Sequence, residues 1–398
     1  MNTVLKVSRK ELAGFALSLF LPSTAVFQKY FGIAGVAAYL VIATLVLFLF
    51  TRYQSAFLYL AAKVTEKQTL WLAALTFLII IAAFIIIYPI ANSGTVGGGS
   101  DTDDALNIAT HELLHGRYPY YPRTYLGNPI SPMPGTLFLA IPFVLLGNSA
   151  YQNIFWLLVF FLAMKSYLHN GRLALLMVWV ILVMSPGVLY QVFTGSDYIS
   201  NSLYVLLFML WWVESMSRPE MSIWRKTLAA ILFGVGLSSR ANFVMILPLV
   251  YSILVHVAGW KPAMKYTSTA IIAFMAVTVP FYLYDPRGFT PLQTVNELGL
   301  VRSILPYVEV IIPVATAMLA VVLAIFQPVS RNFSVLLRNC MLVLAFPVIC
   351  MLILFTIKSG KIDFSSAFFG VFFLFFGAVS FWSNLVENHT RKTESLYA

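Results

Sequence analysis

The chain alternates long apolar runs with short polar interruptions from end to end. Apolar runs fall at roughly 12–27, 31–50, 69–90, 151–168, 172–192, 198–216, 227–239, 242–260, 265–285, 303–327, 335–358 and 365–387. Most approach the ~20 residues that a helix needs to cross a bilayer core. The two-residue alternation of a membrane β-barrel is absent. The pattern predicts an all-α, polytopic membrane protein of about 12 transmembrane helices, forming a single domain over 1–398. The apolar run at 135–147 (GTLFLAIPFVLLG) is shorter and carries Pro142 at its centre. It predicts a re-entrant or interfacial segment rather than a span. It closes the longest polar interruption, 97–135, within a loop running from 91 to 150.

Composition supports the membrane assignment. The chain is 60% hydrophobic and 10% charged, where soluble domains average about 25% charged residues. The formal net charge of +10 raises the question of nucleic acid. The basic residues, however, lie in small clusters between apolar runs, a pattern that orients a membrane protein. Lys6, Arg9 and Lys10 precede the first run, which lacks a small-residue cleavage site and so reads as an uncleaved first span. With 135–147 not crossing and a cytoplasmic amino terminus, most of the 25 lysines and arginines face the cytoplasm. Lys29, Arg117, Arg123, Arg240, Arg287, Arg302, Lys358 and Lys361 are the exceptions. If 135–147 crossed, the cluster from Lys165 to Arg172 and those after it would move outside, so the positive-inside rule favours twelve spans with both termini inside.

In that topology the 91–150 loop, the turns at 195–201 and 238–242, and the loops at 285–302 and 358–364 share the outer face. Asp101, Asp103, Asp104, Glu112, Asp197, Asp285, Glu297, Glu309 and Asp363 gather there. Pro186, Pro248, Pro280, Pro306 and Pro347 read as packing kinks, which membrane helices tolerate. Residues after 387 read as a short disordered cytoplasmic tail. Cys340 and Cys350 lie in one run, about 15 Å apart along a helix. That is too far for a disulfide, which needs Cα atoms within about 7 Å.

The outer loop carries the candidate chemistry. Ser100 or Thr102 can cap a helix whose Leu106, Ala109 and Leu113 share one face, predicting a short amphipathic helix at the outer surface. Asp103 and Asp104 suit the first turn of such a helix through its dipole. Three aspartates after three glycines exceed what a cap requires. Paired carboxylates beside an apolar surface can have one proton affinity raised, which suits that one to general-base work. His111-Glu112-Leu113-Leu114-His115 spells H-E-x-x-H, which on a helix places His111 and His115 one turn apart for zinc with the glutamate as base. It carries the alternative of a membrane metalloprotease. Against it, the helix should stop at Gly116, and no third ligand stands in a recognisable motif. A histidine at a helix end also simply favours the dipole.

The aspartate pair opening the loop is followed by Gly116-Arg117-Tyr118-Pro119-Tyr120-Tyr121. Then Asn128-Pro129-Ile130-Ser131-Pro132-Met133-Pro134-Gly135 leads into the short apolar segment. In this arrangement, over roughly 69–285, the chain resembles the GT-C superfamily of integral-membrane glycosyltransferases. The nearest type is the bacterial polyprenyl-phosphate mannosyl- or arabinosyl-transferases. The resemblance implies an inverting transferase in the bacterial plasma membrane with an extracytoplasmic active site. Its donor would be a polyprenyl-phosphate sugar, its acceptor a glycan or lipid-linked acceptor, with membrane lipid around it and no nucleic acid. It implies Asp103 or Asp104 as the base on the acceptor hydroxyl, Asp101 being an extra carboxylate. Most such enzymes need no cofactor, while the Asp101-x-Asp103 spacing leaves room for a divalent cation.

The leaving phosphate calls for a cation. Arg240, between two apolar runs and against the charge bias, fits that need, since arginine recognises phosphate through two nitrogens. The bland alternative is a snorkelling arginine. Asp197, in Gly195-Ser196-Asp197-Tyr198, resembles the family's second outer-loop acid and could bind sugar or hold Arg240, with Asn201 one turn on. Equally, Ser196 and Asp197 could only cap the next helix. Glu309 could line the same cavity, and Arg117, Tyr118, Tyr120 and Tyr121 could contact sugar or phosphate. The tyrosines otherwise read as interfacial anchors.

Overall fold

The structure, a computed structural model, describes residues 8–93, 101–292, 298–328 and 333–397, with side chains to Val386 in the last helix. Lys6, the glycines at 97–99, Ser100, Glu297 and Arg331 lie outside the described residues, as do the side chains of Arg391 and Lys392. The described chain is all-helical, with one isolated bridge between Arg123 and Pro129. It is a multi-pass membrane architecture. Among the described residues, eight helical segments are long and apolar enough to cross, or nine when one bent pair is counted as a span.

The first helix, α1 (Arg9–Arg52), starts on a reciprocal cap in which the Ser8 hydroxyl accepts from the Glu11 amide and the Glu11 side chain from the Ser8 amide. At Gly32 the backbone takes φ 64 and ψ −164, a conformation glycine reaches without a Cβ clash. Phe27 and Tyr39 then stack at 4.5 Å, although twelve residues of one straight helix would separate them by about 18 Å. The two halves of α1 therefore turn back toward each other, where the sequence predicts separate runs at 12–27 and 31–50. A short helix, α2 (Gln54–Lys63), which the hydrophobic pattern does not announce, leads to α3 (Glu66–Ala91).

The outer loop folds into α4 (Thr102–Leu114) and α5 (Pro134–Leu145). At 12 residues, α5 is about 18 Å long, well short of the roughly 30 Å of a bilayer core. The run predicted at 172–192 is broken. It forms α7 (Gly171–Met184) and α8 (Pro186–Phe193), bent by 85°. Pro186 lacks an amide hydrogen and opens α8 at its first position, so it ends one helix rather than kinking a continuous one.

The remaining helices are α6 (Tyr151–Tyr167), α9 (Tyr198–Ser217), α10 (Ile223–Leu237), α11 (Leu247–Ala258), α12 (Trp260–Tyr284), α13 (Val308–Ile325), α14 (Ser334–Ser359) and α15 (Val371–Tyr397). Short 3-10 turns at Ala241–Ile246 and Ser365–Gly370 precede α11 and α15. The last helix continues through the stretch read as a disordered tail, 388–397.

Helices α9 and α15 form the axis of the bundle, with most of their length buried inside it. They pack on each other, with α10 and α6 against α9 and with α14 and α1 against α15. By contrast α1, α3, α12 and α13 keep most of their apolar surface exposed, as expected where lipid replaces water as the solvent. The loops that the charge pattern assigns to the outer face do meet one another. Gln28 bonds the backbone at 362 and 364, Thr290 donates to the Ile130 carbonyl at 2.6 Å, and Arg240 reaches Ser131.

Candidate functional site

Helix α4 lies over α5 with Ala105, Leu106 and Ala109 buried and Leu113 partly covered, the amphipathic face expected from their spacing. Its cap differs from expectation. Asp101 occupies the capping position without a side-chain cap bond, and Thr102 is the first helical residue.

The three aspartates, all within one helical turn, divide into two tasks. Asp101 Oδ2 accepts from Thr124 Oγ1 at 2.6 Å and Asn128 Nδ2 at 2.8 Å. Asp104 Oδ2 accepts from the Tyr125 amide at 2.9 Å. Both therefore tie the 124–128 loop to the start of α4. Asp103 alone turns into the protein. It is 5% exposed, and its Oδ2 accepts from Tyr88 Oη at 2.5 Å and more weakly from Asn92 Nδ2 at 3.4 Å. Asn148 Nδ2 donates in turn to Tyr88 Oη at 2.7 Å. Asn107 Nδ2 donates to Asn148 Oδ1 at 3.3 Å, and the Ser149 amide donates to Asn107 Oδ1 at 2.8 Å. Burial pushes Asp103 up to about 6, against the lowering effect of the Tyr88 hydroxyl. A raised carboxyl of this kind is ionised near neutral pH yet still able to take up a proton.

Gly195 joins this group to the second one. Its φ is 75, and a Cβ added there would stand 2.8 Å from Tyr88 Cε2 and 3.0 Å from Asp103 Cβ. Only a residue without a side chain lets the turn lie against the carboxylate. Asn153 holds that turn by donating to the Ser196 carbonyl at 2.9 Å.

Two residues on, Asp197 is fully buried. Both its oxygens accept from Nη2 of Arg240, at 2.8 and 2.7 Å, and Asn201 Nδ2 donates to its Oδ2 at 2.9 Å. Asp197 thus sits at the start of α9 without capping it. Arg240 is 8% exposed and is not a snorkelling side chain. Its guanidinium lies over the Tyr198 ring at 4.9 Å, Nη1 donates weakly to the Ser131 carbonyl and hydroxyl at 3.3 Å, and Nε has no partner among the described residues. Tyr204 donates to Asn201 Oδ1, and the Thr136 hydroxyl donates to the Ser239 carbonyl at 3.0 Å. A buried ion pair is sustained only by such added hydrogen bonds.

Tyr120 packs beneath α4 within reach of the Arg240 charge, while the other sequence candidates bond away from these two groups. Arg117 and Glu112 pair at 2.6 and 2.7 Å at the exposed end of α4, which holds the Glu112 carboxyl below its ordinary range. His111 and His115 are exposed, with rings 5.8 Å apart. The glutamate that zinc chemistry would need as a base is thus engaged by arginine. Among the described residues no three His, Cys, Asp or Glu side chains converge as a metal site. Tyr118 donates to the Phe281 carbonyl at 2.9 Å, Tyr120 is buried with its hydroxyl unpartnered among the described residues, and Tyr121 is exposed beside Tyr118. Glu309 pairs with Arg302 at 2.5 Å, at the edge of a separate apolar cluster around Val301 and Ile312.

Sequence reasoning misses Tyr88, Asn148, Asn107 and Thr136. Tyr88 lies one turn from the end of a long apolar helix and reads as an ordinary interfacial aromatic. Asn148 follows Gly147, where an asparagine reads as turn punctuation.

No protein-family model matches the chain, and no curated protein or solved structure matches it either.

Proposed function

We propose that the chain is an inverting glycosyltransferase that moves a sugar from a polyprenyl-phosphate donor to a hydroxyl of a glycan or lipid-linked acceptor. The observation that carries this reading is a convergence. A buried carboxylate with raised proton affinity and a buried arginine reach the same end of the bundle around the Gly195–Tyr198 turn. In this reading the acceptor oxygen attacks the anomeric carbon opposite the phosphate, and Asp103 takes the hydroxyl proton. The bond from anomeric carbon to phosphate oxygen breaks with its electron pair, and the Arg240 guanidinium offsets the charge on the departing phosphate. Asp104 and Asp101 support the base by holding the loop, with Asp197 and Asn201 orienting Arg240. Phosphate is already a good leaving group, so no dedicated acid is required.

The twelve-span topology belongs to the same reading. It counts the halves of α1 separately, takes α7 with α8 as one bent span, and includes α6 and α10 with the longer helices. In this reading the site faces the extracytoplasmic side of a bacterial plasma membrane.

The test is transfer of label from a panel of polyprenyl-phosphate sugars, comparing wild type with Asp103→Asn, Asp104→Asn, Arg240→Ala and His115→Ala. Transfer lost in Asp103→Asn and Arg240→Ala, and kept in His115→Ala, is the expected result. Full activity in both aspartate variants would remove the base from the mechanism, and loss in the histidine variant alone would favour zinc.

A further inference from the structure

An apolar trench lies away from the two polar groups, where the fold-back of α1 meets the break between α7 and α8. It has a volume of about 380 Å³ and is lined by Phe27, Gly35, Tyr39, Ile42, Val183 and Met184, among others. That volume falls within the range of small-molecule sites. Two backbone breaks create it. Gly32 reverses α1, and Pro186 ends the helix before it. The trench opens sideways, with Phe31, Ile42 and Val183 exposed on its walls, so in a bilayer its mouth faces the hydrocarbon. The Tyr39 hydroxyl, the one polar group of its aromatic lining, is turned to the Met184 carbonyl at 2.8 Å, which leaves the floor apolar.

The rim is different in character. Lys29 Nζ donates to Tyr190 Oη at 3.2 Å and lies 5.4 Å from the Tyr30 ring. From this rim a file of aromatic rings leads toward Arg240. Tyr190 meets Phe368 at 5.9 Å, and the next residue, Phe369, meets Tyr198 at 5.5 Å. Tyr198 is the ring beneath the Arg240 guanidinium. A cationic end, an aromatic path and an apolar trench open to lipid match a single long hydrocarbon chain that carries a phosphate.

We propose that this trench holds the distal part of the donor's isoprenoid chain, which reaches it from a phosphate at Arg240 across Tyr198, Phe369, Phe368 and Tyr190. The assignment rests on the glycosyltransferase reading for the identity of the lipid, and it adds the path of the tail. Lys29 offers the phosphate a landing point at the rim, between the bilayer and Arg240. Because bilayer lipid is as apolar as the trench, the preference comes from packing in a shaped groove rather than from the hydrophobic effect.

The test uses the full chain in lipid nanodiscs with a polyprenyl phosphate bearing a diazirine at the end of its chain. After irradiation, peptide mapping should place the label on 31–46 and 183–186. An excess of unlabelled polyprenyl phosphate should compete, and phosphatidylglycerol should not. Ala38→Trp and Val183→Trp fill the trench from exposed positions, so folding is kept. Each should abolish label there and remove the advantage of long-chain over short-chain donors in transfer. Label spread evenly over lipid-facing helices, label displaced by phosphatidylglycerol, or unchanged labelling in both tryptophan variants would overturn the assignment. Labelling needs no turnover, so a chain that binds here and transfers no sugar would refute the glycosyltransferase reading while leaving the trench in place.

Discussion

Replacing Asp103 by asparagine should stabilise the protein while it silences the proposed reaction. Asp103 is 5% exposed, and burial moves it from the ordinary value of 3.8 to about 6. Since it binds its proton more tightly folded than unfolded, folding gains its full benefit below pH 3.8. That advantage fades as the pH rises through about 6. The difference corresponds to about 3 kcal/mol of strain carried at neutral pH by an ionised carboxylate held out of water. Asparagine keeps an oxygen for the Tyr88 hydroxyl and removes the charge. Asp103→Asn should therefore be more stable than wild type at pH 8, by up to about 3 kcal/mol, and the advantage should shrink to nothing at acid pH. Transfer should fall by about 10²–10⁴-fold, the usual contribution of a general base. Thermal unfolding of both forms in detergent from pH 4 to pH 8, beside a transfer assay, measures both effects. Two stability curves running parallel across that range, or a variant less stable at pH 8, would refute the account of Asp103.

Three further outcomes follow from the same geometry. Tyr88→Phe removes a donor to an ionised oxygen, worth about 1.5–3 kcal/mol. The acid limb of the transfer–pH profile should then move up by about one to two pH units, with activity recovered at alkaline pH. Arg240→Ala leaves Asp197 buried without its cation and should destabilise the chain by about 3–5 kcal/mol. Asp197→Asn combined with Arg240→Gln should recover part of that loss in a thermal melt without restoring transfer. Gly195→Ala meets Tyr88 and Asp103 at 3.0 Å or less with φ at 75. It should cost about 1–3 kcal/mol and raise the apparent pKa of transfer, read from melting temperature and pH profile together.

The bundle was legible because a helix that crosses lipid writes its length into an unbroken apolar run. The breaks were less so. Residues 31–50 announce a second helix, yet the tight reversal at Gly32 depends on one residue's backbone freedom. At 172–192 the apolar run continues across Pro186, and hydropathy does not register the missing amide. Arg240 and Asp197 were visible because charges at the rim of the membrane are expensive and need a reason. Which aspartate of the outer loop faces inward was not visible. Adjacent positions on a helix point about 100° apart, and which of them meets Gly195 is settled by a contact some ninety residues along the chain. Tyr88 and Asn148 carry no local mark, because their part exists only once α3, α4 and the 148–150 turn are packed together.

The segment from Met133 to Thr136 is stitched to the turn at 238–240 through its main chain. The Met133 and Gly135 amides reach the Ser239 and Ser238 carbonyls at 3.3 and 2.9 Å, and a Cβ on Gly135 would come within 2.2 Å of the Val235 carbonyl oxygen. A seam of this kind leaves no room for water or a protease, so amide exchange at Gly135 should be as slow as in the middle of α9. The far end of the outer loop is thus a fixed wall rather than a flap, and this wall holds Arg240 and Ser131 in register with each other.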